Sequence, residues 1–460
     1  MQFKNESFLI YGLKDSGIMC ANYLLNLGAN VGLYDDDKTA YLSEAVNSLI
    51  EKGSKIADYM GDNEDNYDEH KNKMVDYNIV VVSPGVSIDN PNLVKLKRLN
   101  KRILGEIELA SLVSKSQIIA VTGTNGKTTV CTLIHKIFSE ANESTYLLGN
   151  VGTPFISCAD KLTNKDVTVL EVSSFQLETV HNFLPHIAVI TNLTQDHLDR
   201  HYNMENYAYL KKRIFKNQRE SEYLVLNYDD LLVRDFSKEA RSKVVWFSVK
   251  ERVDGGYLEN GKLYYKGEEI IDADDLNIKG EHNIQNALCA ICVSKIYGIE
   301  SKNIHQSLFD FTGVKYRLER VFEYDGITYF NDSKSTNCDA TIKAVRQMTK
   351  KTVLIIGGKD KNQDYTLLFD TVKNCTDKIK HIVFMGETKY DMLKCAVKCG
   401  FLDVSISADL NMAVKIAILN ADRGENILFS PATSSFDMFK DYIKRGEAFN
   451  KIVRELNEEI

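Results

Sequence analysis

The sequence predicts an α/β protein of three domains. Three apolar, strand-like runs each end in a glycine-containing loop that opens a helix: SFLIYGLKDSGIMCANYLL, QIIAVTGTNGKTTVCTLIHKIF and TVLIIGGKDKNQDYTLLF. Short continuous apolar runs are typical of buried parallel strands, so each run begins a βα unit. A chain of 460 residues is also too long for one hydrophobic core, because cores stop growing near about 250–300 residues.

The segments between these units indicate where the domains end. ANVGLYDDD and NIVVVSPGV are further strands of the first domain, and KRILGEIEL leads into the central unit. The second boundary precedes VKYRLERVFEYDGITYFNDS. We therefore expect domains at residues 1–104, 105–313 and 314–460.

The composition is that of a soluble globular enzyme, with 44% hydrophobic and 26% charged residues. A net charge of −7 argues against nucleic-acid binding, which needs a concentrated basic surface. No apolar run reaches the roughly 18 residues of a membrane span, and Glu6 stands where a signal peptide would be basic and then apolar. We expect a cytoplasmic protein without a membrane or nucleic-acid partner.

The stretch IAVTGTNGKTTV, residues 119–130, predicts a phosphate-binding loop. Val121 stands where the first glycine of G-x-x-x-x-G-K-[ST] belongs, but a strand, a glycine loop and a helix beginning at Lys127 still gather backbone N–H groups around an anion. Lys127 would neutralise the β- and γ-phosphates, and the Thr128 hydroxyl would bind Mg²⁺. The alternative is a tight glycine turn with an exposed lysine.

Two further strands of the central domain end in polar residues that favour metal binding. DVTVLEVSSFQLE delivers Glu171 near the carboxyl end of a strand, where a carboxylate can hold the Mg²⁺ that bridges ATP phosphates. AVITNLTQDHLDRH places His197 beside Asp196 and Asp199, which could complete a second metal site. The alternatives are an ordinary ion pair for Glu171 and a solvated loop around His197.

The outer domains carry weaker signals. The loop from Gly12 to Gly17 has Lys14 where a dinucleotide-binding loop has its middle glycine, which disfavours binding of NAD or FAD. A nucleotide diphosphate is the more natural ligand, and Asp35 could contact its ribose or uracil. In the last domain, YFNDSKSTN could place an acid and a lysine against a ribose and a transferred phosphoryl group. LIIGGKDKN adds two lysines, and SPATSSFDMF could bind a small carboxylate. Exposed turns are the alternative for each of these.

The ordered set GTNGKTT, LEVSSFQLE, NLTQDHLDRH, GEHNIQNALCA, YRLE, NDSKSTN and SPATSSFD resembles the Mur ligases over essentially the whole chain. SSFQLE and NDSKSTN are most similar to the branch that adds D-glutamate to UDP-N-acetylmuramoyl-L-alanine. The resemblance implies an ATP-dependent amide ligase of peptidoglycan precursor synthesis, with two Mg²⁺ ions and an acyl-phosphate intermediate. We expect a monomer. It also implies a Rossmann-like UDP-substrate domain, a central P-loop-type ATP domain and a Rossmann-like C-terminal domain for the incoming amino acid.

The resemblance assigns a role to each matching residue. The catalytic positions are Lys127, His197, Lys211 and Lys334. ATP would be bound by Gly123, Thr124, Asn125, Gly126, Lys127, Thr128, Thr129, Asn283, Asn286, Arg317 and Asp332. The metal ligands would be Thr128, Glu171, His197 and, if carbamylated by CO₂, Lys211. The UDP substrate would contact Asp15, Ser16, Asp35, Gly85 and Asn150, and D-glutamate would contact Thr336, Lys361, Ser435 and Tyr442.

Three alternatives stay open at this point. The chain could be a sister Mur ligase or a folylpolyglutamate-type ligase with another acceptor, or it could be a nucleotide-sugar sensor without catalysis. The carbamylated position could also shift by one residue, to Lys212, with a plain basic surface helix as the simplest reading of that segment.

Overall fold

The computed structural model describes Phe3 and residues 6–59, 72–194, 196–359, 364–375 and 377–458. The chain divides into two compact units, Met1–Phe311 and Thr312–Ile460. The described residues form three β-sheets, two in the first unit and one in the second. Helices connect the strands of each sheet, which confirms the predicted α/β class.

The first sheet is entirely parallel. Its strands are β1 (Ser7–Tyr11), β2 (Asn30–Tyr34), β3 (Lys55–Tyr59), β4 (Asn72–Lys73), β5 (Ile79–Val82) and β6 (Arg102–Gly105). Its helices are α1 (Asp15–Asn26), α2 (Glu44–Glu51), α3 (Pro91–Arg98) and α4 (Glu106–Val113). The strand order is β4-β3-β2-β1-β5-β6. Because the order reverses between β1 and β5, their carboxyl ends border the crevice in which such sheets bind ligands.

The second sheet carries the predicted phosphate loop. Its strands are β7 (Gln117–Thr122), β8 (Thr145–Gly149), β9 (Val167–Glu171), β10 (Ile187–Ile190), β11 (Tyr223–Asn227), β12 (Lys243–Ser248), β13 (Gly255–Glu259), β14 (Lys262–Tyr265) and β15 (Glu268–Asp272). Its helices are α5 (Lys127–Glu140), α6 (Ser174–Leu177), α7 (Leu198–His201), α8 (Met204–Lys212), α9 (Leu231–Asp235), α10 (Glu281–Tyr297) and α11 (Ser301–Phe309). The order is β15-β14-β13-β12-β11-β10-β7-β9-β8, so the loop after β7 lies between the ends of β9 and β10.

Strands β13 to β15 pair antiparallel at one edge of this otherwise parallel sheet. The β13–β14 hairpin turns at Asn260 and Gly261, whose φ angles are 48° and 78°. Two positive φ angles are the requirement of a type I′ hairpin turn, which Asn-Gly meets at little cost.

The third sheet forms the core of the second unit. Its strands are β16 (Glu319–Tyr324), β17 (Ile327–Asn331), β18 (Thr352–Ile356), β19 (Ile379–Phe384), β20 (Val404–Ile406) and β21 (Asn426–Phe429). Its helices are α12 (Cys338–Gln347), α13 (Thr366–Asn374), α14 (Lys389–Lys398), α15 (Leu410–Asn420) and α16 (Tyr442–Glu458). The order is β16-β17-β21-β18-β19-β20, and only the β16–β17 pair among the described strands of this sheet is antiparallel.

Burial of the strands explains why their sequences are continuous apolar runs. Every residue of β5, β9, β10 and β18 is buried. One hydrophobic core runs from the first sheet into the second, where Leu24 of α1 and Phe155 belong to the same cluster. Each fully buried side chain of this kind contributes about 1.5–3 kcal/mol. Within the described part of the chain, no helix is both long and apolar enough to span a membrane.

Candidate active site

The loop after β7 brings backbone close to two neighbouring side chains. Gly126 has a φ of 82° and precedes α5, and a Cβ atom there would lie 2.3 Å from Asn286 Oδ1. A Cβ atom on Gly123 would lie 1.9 Å from Thr191 Oγ1. Both positions therefore require glycine, and the loop can approach an anion through its main chain.

Side chains from the end of β10 hold the loop in shape. Thr191 Oγ1 donates to the Asn125 carbonyl at 2.6 Å, and the Asn125 N–H donates to Asn192 Oδ1 at 2.8 Å. Lys127 Nζ donates to the carbonyls of Gly123 and Thr124, both at 2.9 Å. The ammonium group thus lies against the loop that would cradle the phosphates. Thr128 is buried in the first turn of α5, and Thr129 beside it is half-buried.

Glu171, the last residue of β9, has an unpartnered oxygen. Its side chain is buried, and its Oε1 accepts from Asn150 Nδ2 at 2.7 Å. Among the described residues, no group donates to its Oε2. A buried carboxylate oxygen without a donor is unfavourable unless something binds it. A divalent cation, which prefers oxygen ligands, fits this position.

Lys211 is buried beside the same loop. Its side chain is 1% exposed, and its Nζ donates to the Gly123 carbonyl at 2.8 Å. The Nζ also lies 4.6 Å from the ring centroid of Tyr207, whose hydroxyl is 3.3 Å from Thr124 Oγ1. Burial, followed by repulsion from Lys127, lowers the pKa of Lys211 well below its usual value. Lys212, the next residue, instead forms an ion pair in which its Nζ lies 2.7 Å from Glu239 Oε1.

His197 lies on the exposed side of this region. Its φ is 53°, its side chain is 47% exposed, and its Nε2 is 3.6 Å from Asp196 Oδ2. The side chain of Asp199 lies outside the described residues. Within the described part of the chain, no three His, Cys, Asp or Glu side chains are grouped so as to hold a metal ion. A metal ion bound by Glu171 and His197, as the sequence predicts, would therefore need a further ligand, such as Thr128, a modified Lys211 or ATP itself.

Helix α10 carries Asn283 and Asn286, the two residues predicted to contact adenine. Asn286 Nδ2 donates to Asn283 Oδ1 at 3.1 Å, and Asn283 Nδ2 donates to the Lys279 carbonyl at 2.9 Å. Asn286 is also the side chain against which Gly126 packs. The structure thus places Asn286 at the glycine loop and Asn283 beside it, and their contact with adenine stays a prediction.

The residues predicted to contact the UDP substrate, apart from Asn150, lie around the reversal point of the first sheet. Ser83 Oγ donates to the Gly12 carbonyl at 2.7 Å, which joins the loops after β5 and β1. Both Asp35 oxygens accept backbone N–H groups, from Leu13 at 2.7 Å and Asp37 at 2.9 Å. Asp35 therefore shapes the loop in this structure. Asp15 and Gly85 are exposed and Ser16 is half-buried around the same crevice, whereas Asn150 lies at Glu171.

In the second unit, Asp332, Lys334 and Thr336 follow β17 and Ser435 follows β21, whereas Arg317 precedes β16 and Tyr442 begins α16. Asp332 is buried and accepts from the hydroxyls of Ser335 at 2.5 Å and Ser430 at 2.6 Å. Burial raises the pKa of Asp332 to about 6. Lys334, Thr336 and Tyr442 are half-buried, Ser435 is buried and Arg317 is exposed. Lys361 lies outside the described residues.

Two residues that shape these sites carry no recognisable signal in the sequence. Arg445 of α16 is fully buried and donates to the carbonyls of Ser333, Thr433 and Ser434, at 2.9, 3.0 and 3.0 Å. Asp36 accepts from the hydroxyls of Tyr11 and Tyr34 and from Asn90 Nδ2. An arginine in an amphipathic terminal helix gives no sequence signal of burial, and an acidic run is usually a solvated surface.

Three α/β domains, with a glycine loop after β7 that can approach an anion through its main chain, are the architecture of three-domain ligases. Comparison with family models identifies the family of ligases. Residues 6–105 match the MurD-like N-terminal domain of Mur ligases, residues 121–294 the Mur ligase middle domain and residues 316–433 the glutamate ligase domain. The chain belongs to the Mur ligase family.

Full-length relatives point to one branch of the family. The chain is 41% identical to a UDP-N-acetylmuramoylalanine–D-glutamate ligase of Caldanaerobacter subterraneus over 459 residues, covering 99% of this chain and 100% of the relative. It is 37% identical to the ligase of the same name from Clostridioides difficile over 464 residues, covering 99% and 100%.

Solved structures share the fold at lower identity. UDP-N-acetylmuramate-alanine ligase from Thermotoga maritima superposes with a TM-score of 0.56 at 18% identity, covering 98% of this chain and 99% of that one. A pseudomurein peptide ligase type C from Methanothermus fervidus gives 0.54 at 17% identity, covering 98% and 100%. These structural similarities support only the fold of this chain.

Proposed function

We propose that this chain is an ATP-dependent ligase that joins D-glutamate to UDP-N-acetylmuramoyl-L-alanine through an acyl phosphate. The relatives that match its whole length carry that activity in their names. The observation that carries the proposal is that buried Lys211 donates to the glycine loop after β7, while Glu171, at the end of the neighbouring strand β9, has a buried oxygen without a donor among the described residues. The alternative from the sequence, a tight glycine turn with an exposed lysine, would need neither a buried lysine nor a buried carboxylate oxygen without a donor.

Activation of the acceptor carboxylate needs positive charge, because two anions must meet. In the proposed reaction a carboxylate oxygen attacks the γ-phosphorus of ATP and ADP leaves. Lys127, whose Nζ lies against the loop, would neutralise phosphate charge as it develops. Thr128, Glu171 and His197 would hold Mg²⁺, which when bound neutralises the phosphates and orients them. Asn283 and Asn286 would bind the adenine, and Asp332 and Arg317 the ribose and phosphates.

The depressed pKa of Lys211 favours carbamylation. The ammonium group first loses one proton; the neutral amine then attacks CO₂, an N–C bond forms as one C–O π bond opens, and a second proton leaves to solvent, so a cation becomes a carboxylate-like anion. Burial and the neighbouring Lys127 favour the neutral amine that this step requires. The resulting carbamate would supply the ligand that Glu171 and His197 lack.

The second half of the reaction uses the C-terminal domain. The D-glutamate amine, once deprotonated, attacks the acyl carbon, and the tetrahedral intermediate expels phosphate. We assign Lys334 to the acyl phosphate and Thr336, Lys361, Ser435 and Tyr442 to D-glutamate. Asp15, Ser16, Asp35, Gly85 and Asn150 would bind the UDP substrate. We place the domains at residues 1–104, 105–313 and 314–460, and expect a cytoplasmic monomer.

Replacement of Lys211 tests the proposed site. Lys211→Ala should lose most ATP-dependent ligation, about 100-fold or more if a metal ligand is removed, and small added carboxylates should partly restore it. Lys212→Ala is the matched control and should remain near wild type. Product formation is measured by chromatography of the UDP-linked peptide. Full activity in Lys211→Ala would contradict the proposed site, and the reverse pattern would move the carbamate to Lys212.

A further inference from the structure

The segment that follows His197 contacts the loop that follows Gly85. Arg200 Nη2 donates to the Val86 carbonyl at 2.9 Å, and Tyr202 Oη donates to Asp89 Oδ2 at 2.8 Å. These contacts join the loop after β5, at the reversal point of the first sheet, to helix α7 beside the second sheet. Neither residue belongs to the assigned binding or catalytic set.

The same guanidinium group also bonds to the segment after β9. Its Nε donates to Glu178 Oε1 at 3.2 Å and its Nη2 to Glu178 Oε2 at 2.6 Å. The Arg200 and Glu178 side chains are only 15% and 3% exposed. A bidentate guanidinium–carboxylate pair that is largely shielded from water is both strong and directional. Arg200 therefore has a fixed orientation between the two loops.

Phe175 connects this pair to His197. The Arg200 guanidinium lies 5.1 Å from the Phe175 ring centroid, and the His197 ring lies 4.9 Å from the same ring. His201, one helical turn from His197, packs on Phe175 at 5.2 Å and lies 2.9 Å from Ser174 Oγ. His197 itself is half exposed with a positive φ, so its position depends on these ring contacts.

We propose that Arg200 is a positioning residue that couples occupancy of the UDP-substrate crevice to the position of His197. A ligand that orders the loop after Gly85 strengthens the Val86–Arg200 contact. Arg200 and Phe175 then favour one placement of His197, the predicted metal ligand. By linkage, binding of the metal-nucleotide must favour the UDP substrate by the same factor. This inference rests on the proposed function.

Binding measurements on the full chain test the coupling. The affinity for UDP-N-acetylmuramoyl-L-alanine is measured by calorimetry, with and without a saturating non-hydrolysable ATP analogue and Mg²⁺. The wild type should bind about tenfold more tightly with the analogue, within the usual 5–150-fold range of coupling. Arg200→Lys keeps the charge but loses the bidentate geometry, so its ratio should fall to about one. Exposed Arg241, before β12, gives the control Arg241→Lys, which should keep the wild-type ratio.

Two more variants keep the test independent of folding. Tyr202→Phe removes a single exposed hydroxyl and should reduce the ratio by about twofold, and Phe175→Leu should reduce it as strongly as Arg200→Lys. Thermal melting identifies which variants are folded. A wild-type ratio of one, or wild-type ratios in the folded variants, would overturn the proposal. Failure of the wild type to bind the UDP compound at all would instead contradict the proposed function.

Discussion

Lys211 and Lys212 are chemically identical neighbours, yet the fold gives their ammonium groups different surroundings. Successive residues of a helix point about 100° apart, so only one of the two can face the core. Lys211 Nζ lies at the phosphate loop, whereas Lys212 pairs with Glu239 at the surface. The sequence could indicate a basic helix here, but only packing determines which lysine is desolvated and therefore has the lowered pKa.

Glu106, at the start of α4, is a buried carboxylate outside the candidate active site. Its Oε1 accepts from the Ile156 N–H at 2.7 Å, and its Oε2 has no donor among the described residues. Burial raises the pKa of Glu106 to about 7. The folded state therefore binds this proton more tightly than the unfolded state does. The contribution of Glu106 to stability is greatest at low pH and falls as the pH rises through 7.

Glu106→Gln should remove that pH dependence. Between pH 4.5 and pH 8, the wild type should lose about 3 kcal/mol of unfolding free energy relative to Glu106→Gln, since one pKa unit corresponds to about 1.4 kcal/mol. Urea unfolding of both proteins at several pH values measures the difference. Exposed Glu205 gives the control, and Glu205→Gln should follow the wild type. Parallel stability curves for the wild type and Glu106→Gln would show that Glu106 does not titrate in this range.

At the scale of elements, the sequence predicted the strand–loop–helix units that carry most of the candidate residues. The loops after β1, β7 and β18 follow apolar runs, and Glu171 and Asn331 end their strands as expected. These features were predictable because burial of parallel strands leaves a direct apolar signature. The β13–β14 hairpin was not predicted, although Asn260-Gly261 is a recognisable turn signal.

Helix α16 joins the loops after β17 and β21 through Arg445. Besides three carbonyl contacts, its Nε donates to Ser333 Oγ at 3.1 Å. The Asp332 carboxylate, whose charge is opposite to that of Arg445, joins the same two loops by accepting hydrogen bonds from the hydroxyls of Ser335 and Ser430. Together these two side chains fix the loops that carry Thr336 and Ser435. Such long-range contacts leave no local pattern, so the sequence could not indicate them.

Arg445→Met should destabilise the second unit and weaken D-glutamate binding. Its removal leaves carbonyl groups of Ser333, Thr433 and Ser434 without donors, at a cost of about 3 kcal/mol. The unfolding midpoint in urea should fall, and KM for D-glutamate should rise more than KM for ATP. Arg454 lies exposed on the same helix, and Arg454→Met serves as the control. Equal stability of the two variants would contradict this role of Arg445.

For the whole molecule, glycine loops and apolar runs sufficed to predict the α/β class and a three-domain chain. The strand orders and the side chains that stabilise each site required the structure, because they depend on contacts between residues far apart in sequence. Arg200 with Val86 is one such contact, and Glu106 with Ile156 is another. The order of motifs, in contrast, is a property of the sequence, and it led to the family that the comparisons confirm.

Acceptor dependence tests the proposed reaction most directly. Phosphate release from ATP is measured with UDP-N-acetylmuramoyl-L-alanine and D-glutamate, together and singly. We predict release only when both are present with Mg²⁺. Little release should occur when L-glutamate or L-lysine replaces D-glutamate, or when a folate replaces the UDP substrate. Equal or faster release with one of these replacements, or release that needs no UDP substrate, would contradict the assignment of this chain as a D-glutamate ligase.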